Sequence, residues 1–180
     1  LNLIEAYPGR GSFIKEIKAE AAINPEMIAL LLTGEHLLAL HEAREMLEVR
    51  VAALAAQRAT EEDLAAMARS LQALEQAVAA QHSVYDAGLE FHRALVEAAQ
   101  NPVLTSLYQV IMGLLQQYQR PVYEQHSDAQ AELDHHRRIY ESICARDAAL
   151  AQETMRVHLE YVIATTRKGR PELFLEREPA

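Results

Sequence analysis

From about residue 24 to residue 168, apolar residues recur every three to four positions, in stretches broken by capping residues, glycine and proline. Asn24-Pro25 opens a short helix, with a capping side chain followed by proline in the first turn, and Gly34 stops it. The next apolar stripe runs from about Glu35 to Arg58. Thr60-Glu61-Glu62-Asp63 places a capping hydroxyl and three acids at the positive end of a third helix, expected to reach about Gln81. A fourth covers about Ser83 to Gln100, and Asn101-Pro102 breaks it and starts a fifth. Pro121 is expected to end or kink that fifth helix. Ser127 or Asp128 begins a sixth, reaching about Ala145, and Asp147 caps a seventh that runs to about Lys168. Connections this short predict antiparallel neighbours, so the expected fold is all-α, an antiparallel bundle of six to seven helices. The expected division is a linker and short helix over 19–34, the bundle over 35–168 and a loose charged tail over 169–180.

Residues 1–18 carry a different pattern. Two short apolar stretches flank Pro8-Gly9-Arg10-Gly11, which is turn chemistry and predicts a β-hairpin. An isolated hairpin is marginal in water, so its sheet partners are expected upstream, and a chain that begins at Leu1 reads as part of something longer.

Composition narrows the function. The formal charge of −9 repels nucleic acid, so the bulk of the chain is not expected to be a DNA-binding surface. The single Cys144 excludes an internal disulfide and, following Ile143 in a helical pattern, reads as a buried structural thiol. No apolar run approaches the ~20 residues of a membrane span, and no secretory leader pattern is visible, so a cytoplasmic location is expected.

The chemistry lies in the polar residues that interrupt apolar stripes. Arg44 falls between Leu40 and Leu47 on a face shared with Val51 and Leu54. His92 is surrounded by Leu89, Leu95, Val96 and Ala99, His136 by Leu133, Ile139, Tyr140 and Ile143, and His158 by Met155, Tyr161 and Val162. A single inward histidine is usually a hydrogen-bonded core residue. Three imidazoles and a guanidinium in one bundle are costly unless something inside satisfies them. A divalent metal, Zn or Ni, would use the imidazoles and keep an open position, and a carboxylate would satisfy Arg44 through two parallel hydrogen bonds. His36, His41, His82, His126 and His135 show no such placement and read as surface or loop residues.

Taken together, these residues resemble the FCD ligand-binding domain of FadR-type regulators in the GntR superfamily. The resemblance rests on Glu42-Ala43-Arg44, on Phe91-His92-Arg93-Ala94-Leu95 followed by Ala99-Gln100-Asn101-Pro102, on His136-Arg137-Arg138-Ile139 with Asp147, and on His158. It covers about residues 20–168. It implies a sensor of a small organic or sugar acid, with Arg44, Asn101, His92, His136 and His158 as effector-binding residues and the three histidines as metal ligands. The hairpin resembles the wing of the family's winged helix-turn-helix domain, which would make Arg10 and Gly11 DNA contacts. A homodimer acting on two-fold operators is the implied assembly. One departure stands out: where metal-binding members carry an aspartate four residues before the Phe-His histidine, this chain has Gly88. Asp86 lies about 240° around the helix from His92 and is not a substitute. Asn101 also reads, from its own neighbours, as a plain helix cap before proline.

Two other classes compete. A metalloenzyme on a helical bundle would need two Glu-x-x-His pairs for a di-iron site, and Glu132-Leu133-Asp134-His135 is the one such run. A three-histidine zinc site activating water would need a general base, and none accompanies it. A purely structural dimerisation module is at odds with an inward arginine and three inward histidines.

Overall fold

The computed structural model describes residues 4–7, 11–14 and 37–171. Six helices follow one another within it: α1 (Leu37–Arg58), α2 (Glu61–Ala79), α3 (Tyr85–Ala98), α4 (Pro102–His126), α5 (Ala129–Cys144) and α6 (Ala148–Gly169). Ahead of them β1 (Ile4–Tyr7) and β2 (Gly11–Ile14) pair antiparallel, with Ile4 opposite Ile14 and Tyr7 opposite Gly11. The helix expected over 24–33, the rest of the linker, the turn at Pro8–Arg10 and the tail beyond residue 171 lie outside the described residues.

The chain starts its helices where side chains can replace missing backbone partners. Thr60 accepts from the Asp63 N–H while the Asp63 carboxylate accepts from the Thr60 N–H, a reciprocal capping box. Asp128 and Asp147 cap α5 and α6 more simply, each side chain accepting two backbone N–H groups. Pro121, expected to end or kink α4, does not end it, and the helix continues to His126. Val122 and Tyr123, just past the proline, are buried, so packing holds the turn in place. Pro121 itself is exposed.

α1 is the central helix. Leu37, Leu40, Val51, Ala52, Ala55 and Ala56 on it are buried, and the small alanines let neighbouring backbones approach. It packs against α3, α4, α5 and α6, but not against α2, although two residues join α1 to α2. The expectation that short joints give side-by-side neighbours therefore fails at α1–α2, and also at α4–α5. α2 instead carries Met67, Leu71 and Leu74 onto α3 and α5.

Two residues are placed differently from expectation. Cys144 is exposed, because it is the last residue of α5 and lies about 100° around the helix from buried Ile143. His41 is buried on the α1 stripe, one turn before Arg44, rather than at the surface. His82 and His126 are exposed as expected, while half-buried His135 lies against the rings of Tyr161 and His158.

Candidate functional site

Five of the six helices send polar side chains into one internal cavity. α1 supplies Arg44, α3 supplies His92 beside the bare backbone of Gly88, α4 supplies Gln119 and Tyr123, α5 supplies Glu132 and His136, and α6 supplies His158. Val84, Leu89, Met112 and Val162 form much of the apolar remainder. The free space measures about 30 Å³ to a water-sized sphere. That is room for roughly two waters.

The three inward histidines converge. Their ring centroids lie 5.1 Å (His92–His136), 4.9 Å (His92–His158) and 4.6 Å (His136–His158) apart. One ring nitrogen from each falls within 4.8 Å of the others, and the Nε2 atoms of His92 and His158 are 2.9 Å apart. Nitrogens sharing an ion at ~2.1 Å are separated by about 3–3.5 Å, so a small adjustment brings the set to coordination distance. Phe91 stands edge-on to His136 at 5.0 Å and packs behind it.

Hydrogen bonding turns the imidazoles inward. His136 donates Nδ1–H to the Glu132 carbonyl at 2.6 Å, which leaves its Nε2, otherwise unpartnered, with the lone pair. Burial, reinforced by His92 and Arg44, pushes His136 down to about 3. His158 is displaced in the same direction by burial and by both neighbouring histidines. Both are therefore neutral at ordinary pH, the state in which imidazole binds a metal.

Two glutamates complete the site, and neither was anticipated. Glu48 is fully buried one turn beyond Arg44, with Oε1 2.5 Å from Arg44 Nε and Oε2 2.5 Å from His92 Nδ1. Burial alone would raise its carboxyl, but Arg44 and then His92 hold it down at about 2. Arg44 loses charge preference to burial and regains more from Glu48, ending above its usual range. A carboxylate behind a histidine favours the Nδ1–H tautomer and fixes the ring, the usual support of a metal-binding imidazole. Glu132 is buried one turn before His136, and burial raises it to about 7 despite the adjacent Tyr123 hydroxyl and Arg44. The sequence does hold a signal for both: His41, Arg44 and Glu48 share one stripe, and Glu132 and His136 share another.

The remaining site residues named from sequence fall elsewhere. Asn101 accepts the N–H groups of Val103 and Leu104 at 3.1 and 3.3 Å as the cap of α4, and it is not part of the cavity lining. Asp86 is exposed and paired with Arg120, away from the histidines. Gly88 faces the cluster, and a Cβ there would lie 3.5 Å from His136 Nε2. Gly11 opens β2, and Arg10 lies outside the described residues.

The interior of this helical bundle thus holds a histidine triad, a buried ion pair and a polar cavity. Residues 39–161 match the FCD domain, and the chain belongs to that family. It is 31% identical over 167 residues to the HTH-type transcriptional regulator LutR of Bacillus subtilis, covering 90% of this chain and 76% of that protein. It is 25% identical over 175 residues to the galactonate operon transcriptional repressor of Escherichia coli, covering 92% and 73%. In fold it is similar to the Streptococcus agalactiae GntR, with a TM-score of 0.67 at 23% identity over 93% of this chain and 75% of that one. The chain is thus a transcriptional regulator with an FCD effector domain, and the metalloenzyme alternative is set aside. Among the described residues no helix is long and apolar enough to cross a membrane.

Proposed function

We propose that the cavity binds a small carboxylate effector through a divalent ion, Zn or Ni, held by His92, His136 and His158, and that binding alters operator affinity. The observation that carries this reading is the charge balance of the cavity. Arg44 is neutralised by Glu48, and His136 and His158 are neutral. The protein alone therefore offers an anion little net attraction in a buried place. A bound divalent ion supplies the missing positive charge and an open position for a carboxylate oxygen. The donor set suits it: three converging imidazoles, one with an orphaned Nε2, backed by a carboxylate at His92. Gly88 leaves open, for the effector's own carboxylate, the place a side chain would otherwise occupy.

Arg44 lines the cavity while held by Glu48, so it orients an incoming carboxylate more than it neutralises one. The ligand would join α1, α3, α5 and α6, tightening the bundle and shifting the population of arrangements seen by a DNA-binding domain. Operator DNA would be met by the hairpin, with Arg10 and Gly11 as wing contacts, in a cytoplasmic homodimer. The Escherichia coli relative is named for a galactonate operon, and galactonate is a sugar acid, in keeping with a carboxylate effector. Calorimetry on zinc-loaded and chelator-treated protein, with a panel of small organic and sugar acids, tests the proposal. Binding of at least one acid to the loaded form alone is the expected result. Equal binding to both forms would remove the ion from the mechanism.

A further inference from the structure

Among the described residues that line the histidine cavity, Leu89 alone is not buried. The free space within is about 30 Å³, so a solute larger than water reaches the imidazoles only where the wall gives way. Outside that wall lies a second hollow, a groove between α3 and α4 with about 350 Å³ of free space measured in the same way. Leu89 and Met112 line the cavity on one side and the groove on the other, and they are the residues the two spaces share.

Each wall residue stands next to a glycine. Gly88 precedes Leu89 and lines the cavity, while Gly113 follows Met112 and lines the groove. A Cβ at Gly88 would stand 3.5 Å from His136 Nε2, and one at Gly113 would meet nothing within 4 Å. The backbone is thus bare on the inside at 88 and on the outside at 113, which leaves room for the neighbouring side chains to change rotamer. Neither leucine nor methionine is branched at Cβ, and methionine turns about three bonds. Tyr85 and Tyr123 close another part of the cavity more firmly. Their rings meet edge to face at 5.8 Å, and Arg120 lies 4.7 Å over the Tyr85 ring while paired with Asp86. Opening there would break an aromatic pair, a cation–π contact and an ion pair together.

We propose that the α3–α4 groove is the entrance to the histidine cavity and that Leu89 and Met112 are its gate. The proposal rests on reading the cavity as a ligand site, and not on which ligand or ion fills it. Rotation of two apolar side chains joins groove to cavity without breaking a hydrogen bond. Gln109 and Gln116 line the groove and offer an incoming solute polar groups.

The test is chemical access to His136, whose Nε2 carries a free lone pair. Diethyl pyrocarbonate, a small neutral reagent that acylates unprotonated imidazole, is added to the chelator-treated chain at neutral pH. Mass spectrometry follows each histidine, with exposed His82 and His126 as internal standards. Leu89→Ala is expected to raise the His136 rate about tenfold, and Gly113→Phe, whose ring would fill the groove, to lower it about tenfold. Gly113→Ala gains at least as much helical preference but leaves the groove open, so its rate should match the wild type. Arg120→Ala should match it as well. A Gly113→Phe rate equal to wild type, or equalled by Gly113→Ala, would overturn the proposal, as would a faster reaction in Arg120→Ala. An unchanged rate in Leu89→Ala would do the same, and if that variant unfolds the Gly113 pair decides. A His136 that reacts in none of the variants would show that the groove does not open and overturn it too. The calorimetric test of the carboxylate reading is independent of all these results.

Discussion

Position 88 offers a direct test of the proposed metal site. A Cβ there makes only ordinary contact, 3.5 Å from His136 Nε2 and 3.6 Å from its Cε1, and the backbone is in a conformation open to any residue. An aspartate would thus fit without strain and carry its carboxylate into the histidine cluster. Gly88→Asp is expected to tighten zinc binding roughly tenfold or more and to weaken binding of a carboxylate effector by a similar factor, since the open position would be filled from within. Competitive zinc titration and calorimetry check both numbers, and no change in either would mean the three imidazoles do not share an ion. Arg44→Ala is a less clean probe, because it would strand the buried Glu48 carboxylate. The residue scale also shows what the sequence made readable. His92, His136 and His158 stood out because an imidazole on an apolar stripe is unusual. Glu48 and Glu132 occupy the same stripes, one turn from Arg44 and His136, yet glutamate at that spacing ordinarily forms a solvent-facing ion pair. Only the closing of the bundle over them turns the same spacing into a buried network, and His41 went unseen for that reason.

Helix boundaries were legible because they are written in local chemistry. Thr60, Asn101, Asp128 and Asp147 each have an oxygen that takes up backbone N–H at a helix start; three of these caps were expected where they are found, and at the fourth the structure selects Asp128 over Ser127. Pro121 misled because a helix continues through proline when the residues beyond it are buried, and burial is a tertiary fact. Helix ends hold a further cost. α2, α3 and α5 terminate with Gln81, Gln100 and Arg146 at φ of 55°, 52° and 57°, the left-handed region where a side chain is disfavoured. Gln100 and Arg146 use their side chains, bonding Asp63 and the Ala59 carbonyl. Gln81 is exposed and is the cleaner place to relieve strain. Gln81→Gly is expected to stabilise the chain by about 1 kcal/mol, raising the melting temperature by roughly 2–4 °C. A calorimetric scan decides it, and a lower melting temperature would show that the Gln81 side chain contributes more than its backbone costs.

At the scale of the molecule, the all-α class followed from periodicity, but the central place of α1 did not. Which helices touch across a two-residue joint depends on how all the apolar faces close together, and α2 leaves α1 for α3 and α5. The same closure gives the metal-free protein a pH dependence with a definite sign. Burial holds His41 and His136 near about 3, and His158 is also well below its usual value. An unfolded histidine titrates near 6.5, so below that pH the unfolded chain takes up three protons that the folded one refuses, and stability falls as pH falls. Glu132 acts the other way: raised to about 7, it binds a proton in the fold that the unfolded carboxyl releases above about 4.5. Its contribution is complete below about 4.5 and disappears as pH rises through 7. Between about 4.5 and 6.5, three histidines opposed by one glutamate leave a net uptake of two protons on unfolding, a slope of about 3 kcal/mol per pH unit. Below about 4.5 Glu48, depressed to about 2, adds loss in the same direction as its ion pair with Arg44 is protonated. Urea unfolding of chelator-treated protein should therefore show its highest midpoint near pH 7 and a steep decline below 6.5. Zinc should raise the midpoint most at neutral pH, where His136 and His158 are neutral and the ion meets least competition from protons. A midpoint that stays level down to pH 5 would mean that the histidine cluster carries protons within the fold, and an imidazolium cluster cannot be a metal site.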